Sequence, residues 1–372
     1  MARLEKIILE NRMPPAPLAP AATIRSRAPN RLLGLQVGRG LAALMVVIFH
    51  AGRSLALPQY VGTNPFGGFF AFGHAGVDFF FVLSGFIITH VHYADLGRPD
   101  RLKRYIWRRF TRIFPIYWAV SAIYFVLDTM APNAAQRLGA LNLLESLTLL
   151  PIGHAPLVGV AWSLEHEVFF YFAFGLAIWS RKLGWLAILI GLAPLAAQFF
   201  PPSASIVSGF LLTGFHVQFL MGILAARLAA TGAIRFPLVV IGVGLALFTG
   251  TAVMEVYGVI SINQLKMACL YGGSSTMIIA GIVAAEQSGR IRLGATAELF
   301  GAISYVLYLI HPMVVGLTAR AFAIAGLLGS LPAWSVLIVQ VLAAITVAMV
   351  IHQRVELPIS RWLRRFERTS VG

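Results

Sequence analysis

The sequence is poor in charged residues. Only 12% of its 372 residues are Asp, Glu, Lys or Arg, whereas soluble domains contain about 25%. Hydrophobic residues account for 58% of the chain. This composition excludes a disordered protein and almost any soluble enzyme, because the apolar surface would exceed what a water-exposed fold can bury.

Cysteine and acidic residues are also scarce. The single cysteine, Cys269, cannot form a disulfide within one chain, which excludes a secreted disulfide scaffold. There are 14 acidic against 29 basic residues, giving a net charge of +15. Such an excess is typical either of nucleic-acid binding or of the cytoplasmic loops of a membrane protein, and the positions of the charges decide between the two.

Long apolar runs, in contrast, are abundant. A transmembrane helix needs about 20 mostly apolar residues to cross a hydrocarbon core of about 30 Å. We therefore predict an all-α membrane protein, a bundle of about ten transmembrane helices. The predicted spans lie near 34–53, 76–93, 113–131, 161–180, 184–200, 206–226, 236–254, 267–285, 299–319 and 331–351.

The basic residues fall almost entirely on one side of this predicted bundle. Ten spans would put 25 of the 29 Lys and Arg residues on the N-terminal side. The positive-inside rule then places both termini in the cytoplasm, and topology explains the net charge without nucleic acid. We expect residues 1–33 to be a mobile cytoplasmic tail, 34–352 the transmembrane domain, and 353–372 a basic cytoplasmic tail.

Ionisable residues inside the first predicted span suggest a functional site, because they are costly in a membrane. Arg39 and His50 lie eleven residues apart, which is about three turns plus 20°, so both project from one helix face about 16 Å apart. Arg39 would lie near the cytoplasmic edge and His50 in the outer half. The alternative, which the pair alone does not exclude, is that Arg39 reaches lipid headgroups and His50 bonds a neighbouring helix.

Two further spans carry polar residues at the same predicted depth as His50. Glu167 lies about 8 Å inside the outer edge of the fourth span, and His311 in the ninth precedes Pro312, which leaves a backbone carbonyl unpaired. Tyr308 and His311 share one helix face. Two imidazoles and a carboxylate at one level predict a site for proton transfer, in which Glu167 contacts and orients His50 or carries its proton. A proline kink with a polar contact would also account for the ninth span.

The second span contains an acidic residue and a serine, and the stretch after it is rich in basic residues. Asp78 lies at the outer edge, where Arg53 is a possible partner, and Ser84-Gly85 permits close helix approach. A catalytic serine is conceivable, but nothing in the sequence places a base beside Ser84. The stretch from Arg98 to Arg112 is predicted to be a cytoplasmic loop and contains seven basic residues. They fit either the positive-inside rule together with binding of anionic lipid, or the binding of a phosphate-rich cytoplasmic ligand.

Five of these segments, in order, resemble the motifs of the acyltransferase-3 family of integral membrane acyltransferases. The resemblance extends from Arg39 to about Pro312, and its specificity comes from the order of motifs that are individually weak. The segments are Arg39 with His50, Gly76-Val77-Asp78-Phe79-Phe80-Phe81-Val82-Leu83-Ser84-Gly85-Phe86, Arg109-Phe110-Thr111-Arg112, Ser163-Leu164-Glu165-His166-Glu167-Val168-Phe169-Phe170-Tyr171, and Tyr308-Leu309-Ile310-His311-Pro312.

The resemblance implies ten core helices and transfer of an acyl group from cytoplasmic acyl-CoA, with acetyl-CoA as the expected co-substrate, to a hydroxyl of a glycan or lipid-linked saccharide. The compact chain is most similar to exopolysaccharide O-acetyltransferases, without an extra extracytoplasmic domain. It implies a bacterial inner-membrane location, no permanently bound cofactor, no metal and no nucleic-acid partner. The roles it implies are catalysis by His50 and Glu167; acyl-CoA binding by Arg39, Arg109 and Arg112; and acceptor binding or support by Ser163, Tyr171, Tyr308, His311 and Asp78.

A different class of protein competes with this interpretation. Buried His and Glu residues also form the proton relays of transporters, so a proton-coupled exporter of a sugar or lipid is the alternative. The sequence shows no evident internal repeat, which such a transporter would favour, and its second cytoplasmic segment is unusually rich in arginine.

Overall fold

The structure is a computed structural model that describes residues 32–129, 139–153, 156–197, 199, 206–260 and 264–369. Almost all of the predicted N-terminal tail, residues 1–33, lies outside these residues. The described part is almost entirely helical. Its helices are α1 (Leu33–Leu55), α2 (Gly76–His92), α3 (Leu102–Thr129), α4 (Ala140–Thr148), α5 (Trp162–Trp179), α6 (Arg181–Ala197), α7 (Ile206–Leu211), α8 (Gly214–Thr231), α9 (Pro237–Val256), α10 (Gln264–Gln287), α11 (Ala295–Ala302), α12 (Ser304–Ile324), α13 (Ala333–Ile351) and α14 (Leu357–Thr369).

Eight helical stretches in the described part are long and apolar enough to cross a membrane, and the chain is an integral membrane protein. Two predicted spans form helices that fall short of this standard. α5 carries Glu165, His166 and Glu167 near its start, which lowers its hydropathy, and α6 has only 17 residues. The count of ten and the orientation of the termini therefore stay predictions.

Several predicted boundaries differ from the structure. The basic stretch was expected to be a loop up to Arg112, but α3 begins at Leu102, so Arg109 and Arg112 lie on a helix. Arg and Lys are good helix formers, which explains the difference. The ninth predicted span is interrupted at Ile303, between α11 and α12, and the sixth is divided between α7 and α8. The short helix α4 was not predicted.

Small residues allow the central helices to pack closely. α2 and α8 meet at Gly85 and Gly222: a Cβ at Gly85 would meet the carbonyl oxygen of Phe219, and one at Gly222 that of Val82. This is the close backbone approach typical of glycine at helix interfaces in membranes. Glycine, alanine and valine also form most of the buried face of α1, which packs against α2, α11, α12 and α13.

The central position of α1 determines where the polar side chains meet. α12 packs against α1 and also contacts α3, while α5 contacts α2, α3 and α8. The polar residues predicted on α1, α5 and α12 are therefore brought into one region of the bundle.

Candidate active site

Two histidines from different helices form a contacting pair. Nδ1 of His50, on α1, lies 3.2 Å from Nε2 of His311, on α12, and their ring centroids are 4.8 Å apart. His311 is fully buried and His50 is half-buried. The predicted common depth of these two residues agrees with this contact.

The proline after His311 explains why that ring is held in place. Pro312 has no backbone N–H, so the carbonyl of Tyr308, four residues earlier, lacks its normal helical donor. Nδ1 of His311 lies 2.7 Å from the Tyr308 oxygen and 3.2 Å from that of Leu307. The imidazole therefore satisfies the carbonyl that the proline leaves unpaired, and its ring orientation is fixed.

These contacts assign the tautomers of the neutral pair. A carbonyl oxygen only accepts, so Nδ1 of His311 must donate its proton and Nε2 carries the lone pair. Nδ1 of His50 lies 3.0 Å from the carbonyl oxygen of Val46 as well as near that lone pair, so it is also a donor. The lone pair of His50 is then on Nε2, which is the nitrogen able to take a proton from a substrate.

A cavity of about 60 Å³ lies between α1, α2, α3, α5 and α12. Three charged residues line it: Arg39, Arg112 and Glu167. Polar side chains from three helices complete its wall, namely Ser84, Ser163, Ser304, Tyr305 and Tyr308. The cavity therefore combines two guanidinium groups and one carboxylate within the membrane-spanning bundle.

The carboxylate of Glu167 is held by two hydroxyl groups. Tyr171 OH donates to Oε1 at 2.6 Å, and Ser84 Oγ donates to the same oxygen at 3.2 Å. Both bonds use Oε1, so neither engages Oε2. Glu167 was expected to contact His50; in the described residues it is instead bonded to Ser84 and Tyr171, while His50 is bonded to His311.

The arginines of the cavity interact electrostatically with acidic residues from two elements. Arg39 and Arg112 both interact with Glu167 and with Glu356. Glu356 lies in a π-helical turn, His352–Glu356, between α13 and α14, and its Oε2 is 2.5 Å from Nδ1 of His352. Single π turns are frequent at functional sites. Sequence reasoning missed Glu356, because it follows the last predicted span.

Tyr308 connects the cavity with the histidine pair. Its side chain lines the cavity, and its ring centroid is 5.9 Å from that of His311. Its hydroxyl lies 2.7 Å from Ser163 Oγ and donates to the carbonyl of Val160 at 3.1 Å. Tyr308 and Ser163 therefore fix α12 against the start of α5, in the way that a supporting role requires.

Arg109 lies outside the lining of this cavity. Its guanidinium carbon is 5.3 Å from the centroid of the Tyr171 ring, and Nη2 is 3.4 Å from Nε2 of His92. Its Nε is buried without a hydrogen-bond partner in the described residues. Beside it, a cavity of about 170 Å³, the basic pocket, is lined by Val91, His92, Asp95, Arg101, Arg104, Tyr105 and Arg108.

Asp78 is another predicted site residue that the structure places away from the cavity. It is buried and accepts a hydrogen bond from the Gln218 side chain, rather than pairing with Arg53, which lies over the Phe49 ring. Asp78 is absent from the described lining of the cavity. Its surroundings indicate a support between α2 and α8.

Ser84 is a further residue whose position beside the cavity could not be predicted from the sequence. The sequence places no base beside it, yet α2 directs its hydroxyl onto Glu167. The spacing of Ser163, Glu167 and Tyr171 on α5 was informative, since all three prove to be near the cavity. No comparable spacing relates Ser84 to Glu167, because they meet only through helix packing.

Comparison with known proteins identifies the family of the chain. A family model described as an acyltransferase domain matches residues 32–353. The exopolysaccharide production protein ExoZ of Rhizobium meliloti is 26% identical over 310 residues, covering 79% of this chain and 92% of that protein. Protein 2 in the picA locus of Rhizobium radiobacter is 30% identical over 161 residues, covering 38% of this chain and 78% of that protein.

A third relative is much longer than this chain. The peptidoglycan O-acetyltransferase OatA of Listeria monocytogenes is 28% identical over 152 residues, which are 40% of this chain and 21% of OatA. No solved structure matches. The family match covers most of the chain and includes every described residue that lines the cavity. The chain is therefore an O-acyltransferase that belongs to the acyltransferase-3 family of membrane acyltransferases.

Proposed function

We propose that the protein transfers an acetyl group from cytoplasmic acetyl-CoA to a hydroxyl of a cell-surface glycan, with exopolysaccharide as the acceptor and the bacterial inner membrane as its location. The proposal is carried by a cavity that contains two arginines and a carboxylate. Tyr308 connects this cavity with the pair of His50 and His311, in which Nε2 of His50 is the nitrogen that can accept a proton. The name of the relative from Rhizobium meliloti supports the choice of acceptor.

Acyl-CoA carries phosphate groups at one end and a thioester at the other, so its site needs cations at a distance from the catalytic base. Arg101, Arg104 and Arg108 line the basic pocket, and Arg109 separates it from Tyr171. Guanidinium groups bind phosphate oxygens through two parallel hydrogen bonds. In this proposal the nucleotide end occupies the basic pocket, and Arg39 and Arg112 bind the part of the donor that enters the cavity.

The chemical step uses the free nitrogen of His50. Nε2 takes the proton of the acceptor hydroxyl as its oxygen attacks the thioester carbonyl, the C–S bond breaks, and the imidazolium returns the proton to the departing CoA thiolate. Electron density from Nε2 of His311, which accepts the Nδ1 proton of His50, stabilises the imidazolium. Glu167 accepts a hydrogen bond through Oε2 from a neighbouring hydroxyl of the glycan and so orients the acceptor.

An acyl-histidine intermediate is the second version of this step. Nε2 of His50 would attack the thioester carbonyl, and the C–S bond would break to release CoA as its thiolate. The acceptor oxygen would then attack the acyl-imidazolium and displace neutral imidazole, while the hydroxyl proton passes to Glu167 and from there to solvent. Both versions require the same nitrogen. To distinguish them, the enzyme is mixed with labelled acetyl-CoA in the absence of acceptor, and the reaction is then quenched. Only the second version leaves label on His50.

The test is acetyl transfer by purified protein in detergent, with labelled acetyl-CoA, the extracted glycan and mass spectrometry of the product. His50→Ala should lower kcat by about 10²–10⁴, the usual contribution of a general base. His90→Ala is the matched control, since His90 is exposed and stacks on Phe86 away from the cavity. Normal transfer by a folded His50→Ala protein would overturn the proposal. Proton-coupled glycan flux in vesicles without acetyl-CoA would favour the transporter instead.

A further inference from the structure

A second cavity, larger than the catalytic one, lies apart from it. It has about 470 Å³, against about 60 Å³ for the catalytic cavity, and lies between α2, α5, α6 and α8. We call it the α5–α8 groove. Its wall is mainly aromatic and aliphatic and includes Phe169, Phe170, Phe174, Trp185, Phe219 and Leu220.

Two arginines at one end provide the charge of this groove. Arg181 and Arg227 line it, and no Asp or Glu is among its lining residues in the described chain. The guanidinium carbon of Arg227 is 3.8 Å from the centroid of the Tyr93 ring, and Nε of Arg181 donates to the Leu96 carbonyl at 3.4 Å. A stacked guanidinium uses its face, so its N–H groups still project in the plane and can donate to oxygen atoms.

The two arginines lie where a lipid headgroup would be. Arg181 begins α6 and Arg227 is in the last turns of α8, next to the segment between α2 and α3. The predicted ten-span topology puts both residues on the cytoplasmic side. Basic pockets between membrane helices on that side bind anionic headgroups, while the apolar wall matches acyl chains.

We propose that the α5–α8 groove binds one anionic phospholipid of the cytoplasmic leaflet, with its phosphate held by Arg181 and Arg227 and its acyl chains against the aromatic wall. Two cations with no Asp or Glu beside them in the described lining of the groove select a lipid with net negative charge. The groove shares no lining residue with the catalytic cavity, so this lipid is a bound component rather than the acyl acceptor. It packs against α5, the helix that also carries Glu167.

The test is lipid titration of the detergent-purified full chain, read by native mass spectrometry. Phosphatidylglycerol should bind with one high-affinity site and phosphatidylcholine at least about tenfold more weakly. Arg181→Ala/Arg227→Ala should weaken phosphatidylglycerol binding by about tenfold or more. The control is Arg235→Ala/Arg290→Ala, two exposed arginines on the same predicted side that do not line the groove, and it should bind as the unaltered protein does.

A second variant tests the acyl-chain end. Ala187→Phe adds a ring inside the groove and should reduce binding without changing the charge. Equal binding of the two phospholipids, or unchanged binding by the Arg181→Ala/Arg227→Ala protein, would overturn the proposal. Preferential binding of a polyprenyl phosphate would also overturn it and would identify a lipid-linked saccharide as the occupant. Displacement of the lipid by inorganic phosphate alone would overturn it as well, because the groove would then bind anions without selecting a lipid.

Discussion

Replacing His311 should damage both stability and catalysis, for two separable reasons. The His311 ring donates to the Tyr308 carbonyl at 2.7 Å and accepts from His50 at 3.2 Å. His311→Phe removes both contacts while retaining a planar side chain. We expect the unpaired carbonyl to destabilise the fold by about 1–3 kcal/mol, the usual cost of a buried unsatisfied group.

A second substitution can repair only the first of these defects. Pro312→Ala supplies the missing backbone N–H, which restores the normal helical bond to the Tyr308 carbonyl. The double variant His311→Phe/Pro312→Ala should therefore recover most of the lost stability. It cannot restore the partner of His50, so its activity should stay as low as that of His311→Phe.

The loss of activity follows from the hydrogen bond between the two imidazoles. A neutral hydrogen bond contributes about 0.5–1.5 kcal/mol, so kcat should fall about 2- to 13-fold in both the single and the double variant. The measurements are thermal unfolding in detergent and acetyl transfer at saturating donor, each on the four proteins of a double-mutant cycle.

Two results would contradict this account of His311. If the double variant is no more stable than His311→Phe, the Tyr308 carbonyl is not what the imidazole satisfies. If the double variant regains normal kcat, His311 acts through the helix backbone and has no direct effect on His50.

Three further predictions follow from contacts in the bundle. Tyr171→Phe removes the 2.6 Å bond to Glu167 and should lower kcat/KM by about 10- to 100-fold, the effect of a hydrogen bond to a charged group; unchanged kinetics would show that Glu167 needs no such support. Arg39→Ala/Arg112→Ala should raise the KM for acetyl-CoA at least about tenfold, with less effect on kcat. A change confined to the KM for the glycan would instead show that these two arginines bind the acceptor. Gly222→Val should lower the unfolding temperature in detergent because its side chain meets the α2 backbone, and normal stability would exclude close packing at this point.

Much of the architecture could be predicted because lipid imposes length and hydropathy on each helix. The apolar runs located every helix that reaches span length, and the missing N–H of Pro312 predicted an unpaired carbonyl on α12. The helical spacing of Tyr308 and His311 put both on one face. These inferences depend on local geometry alone, which the sequence determines.

The contacts between helices could not be predicted in the same way. Ser84 and Glu167 are 83 residues apart, and nothing in either helix specifies the other as its partner. The proposed carboxylate–imidazole contact of Glu167 was inferred from depth, which fixes the level of a residue but not its position around the bundle. Glu356 was missed because a charged residue after the last span is expected to be in water.

The position of α1 explains how one small bundle can hold a charged donor and a neutral base. Arg39 and His50 lie on the same helix, so their separation of about 16 Å is fixed by the rise of the helix and not by loop conformation. Arg39 lines the cavity with Arg112, whereas His50 contacts His311 on α12. In the proposed function, a donor bound at Arg39 approaches His50 past Tyr308, which lines the cavity and whose ring lies beside that of His311. The distance from Arg39 along α1 limits the repulsion between its guanidinium and the imidazolium that forms on His50 in the proposed transfer.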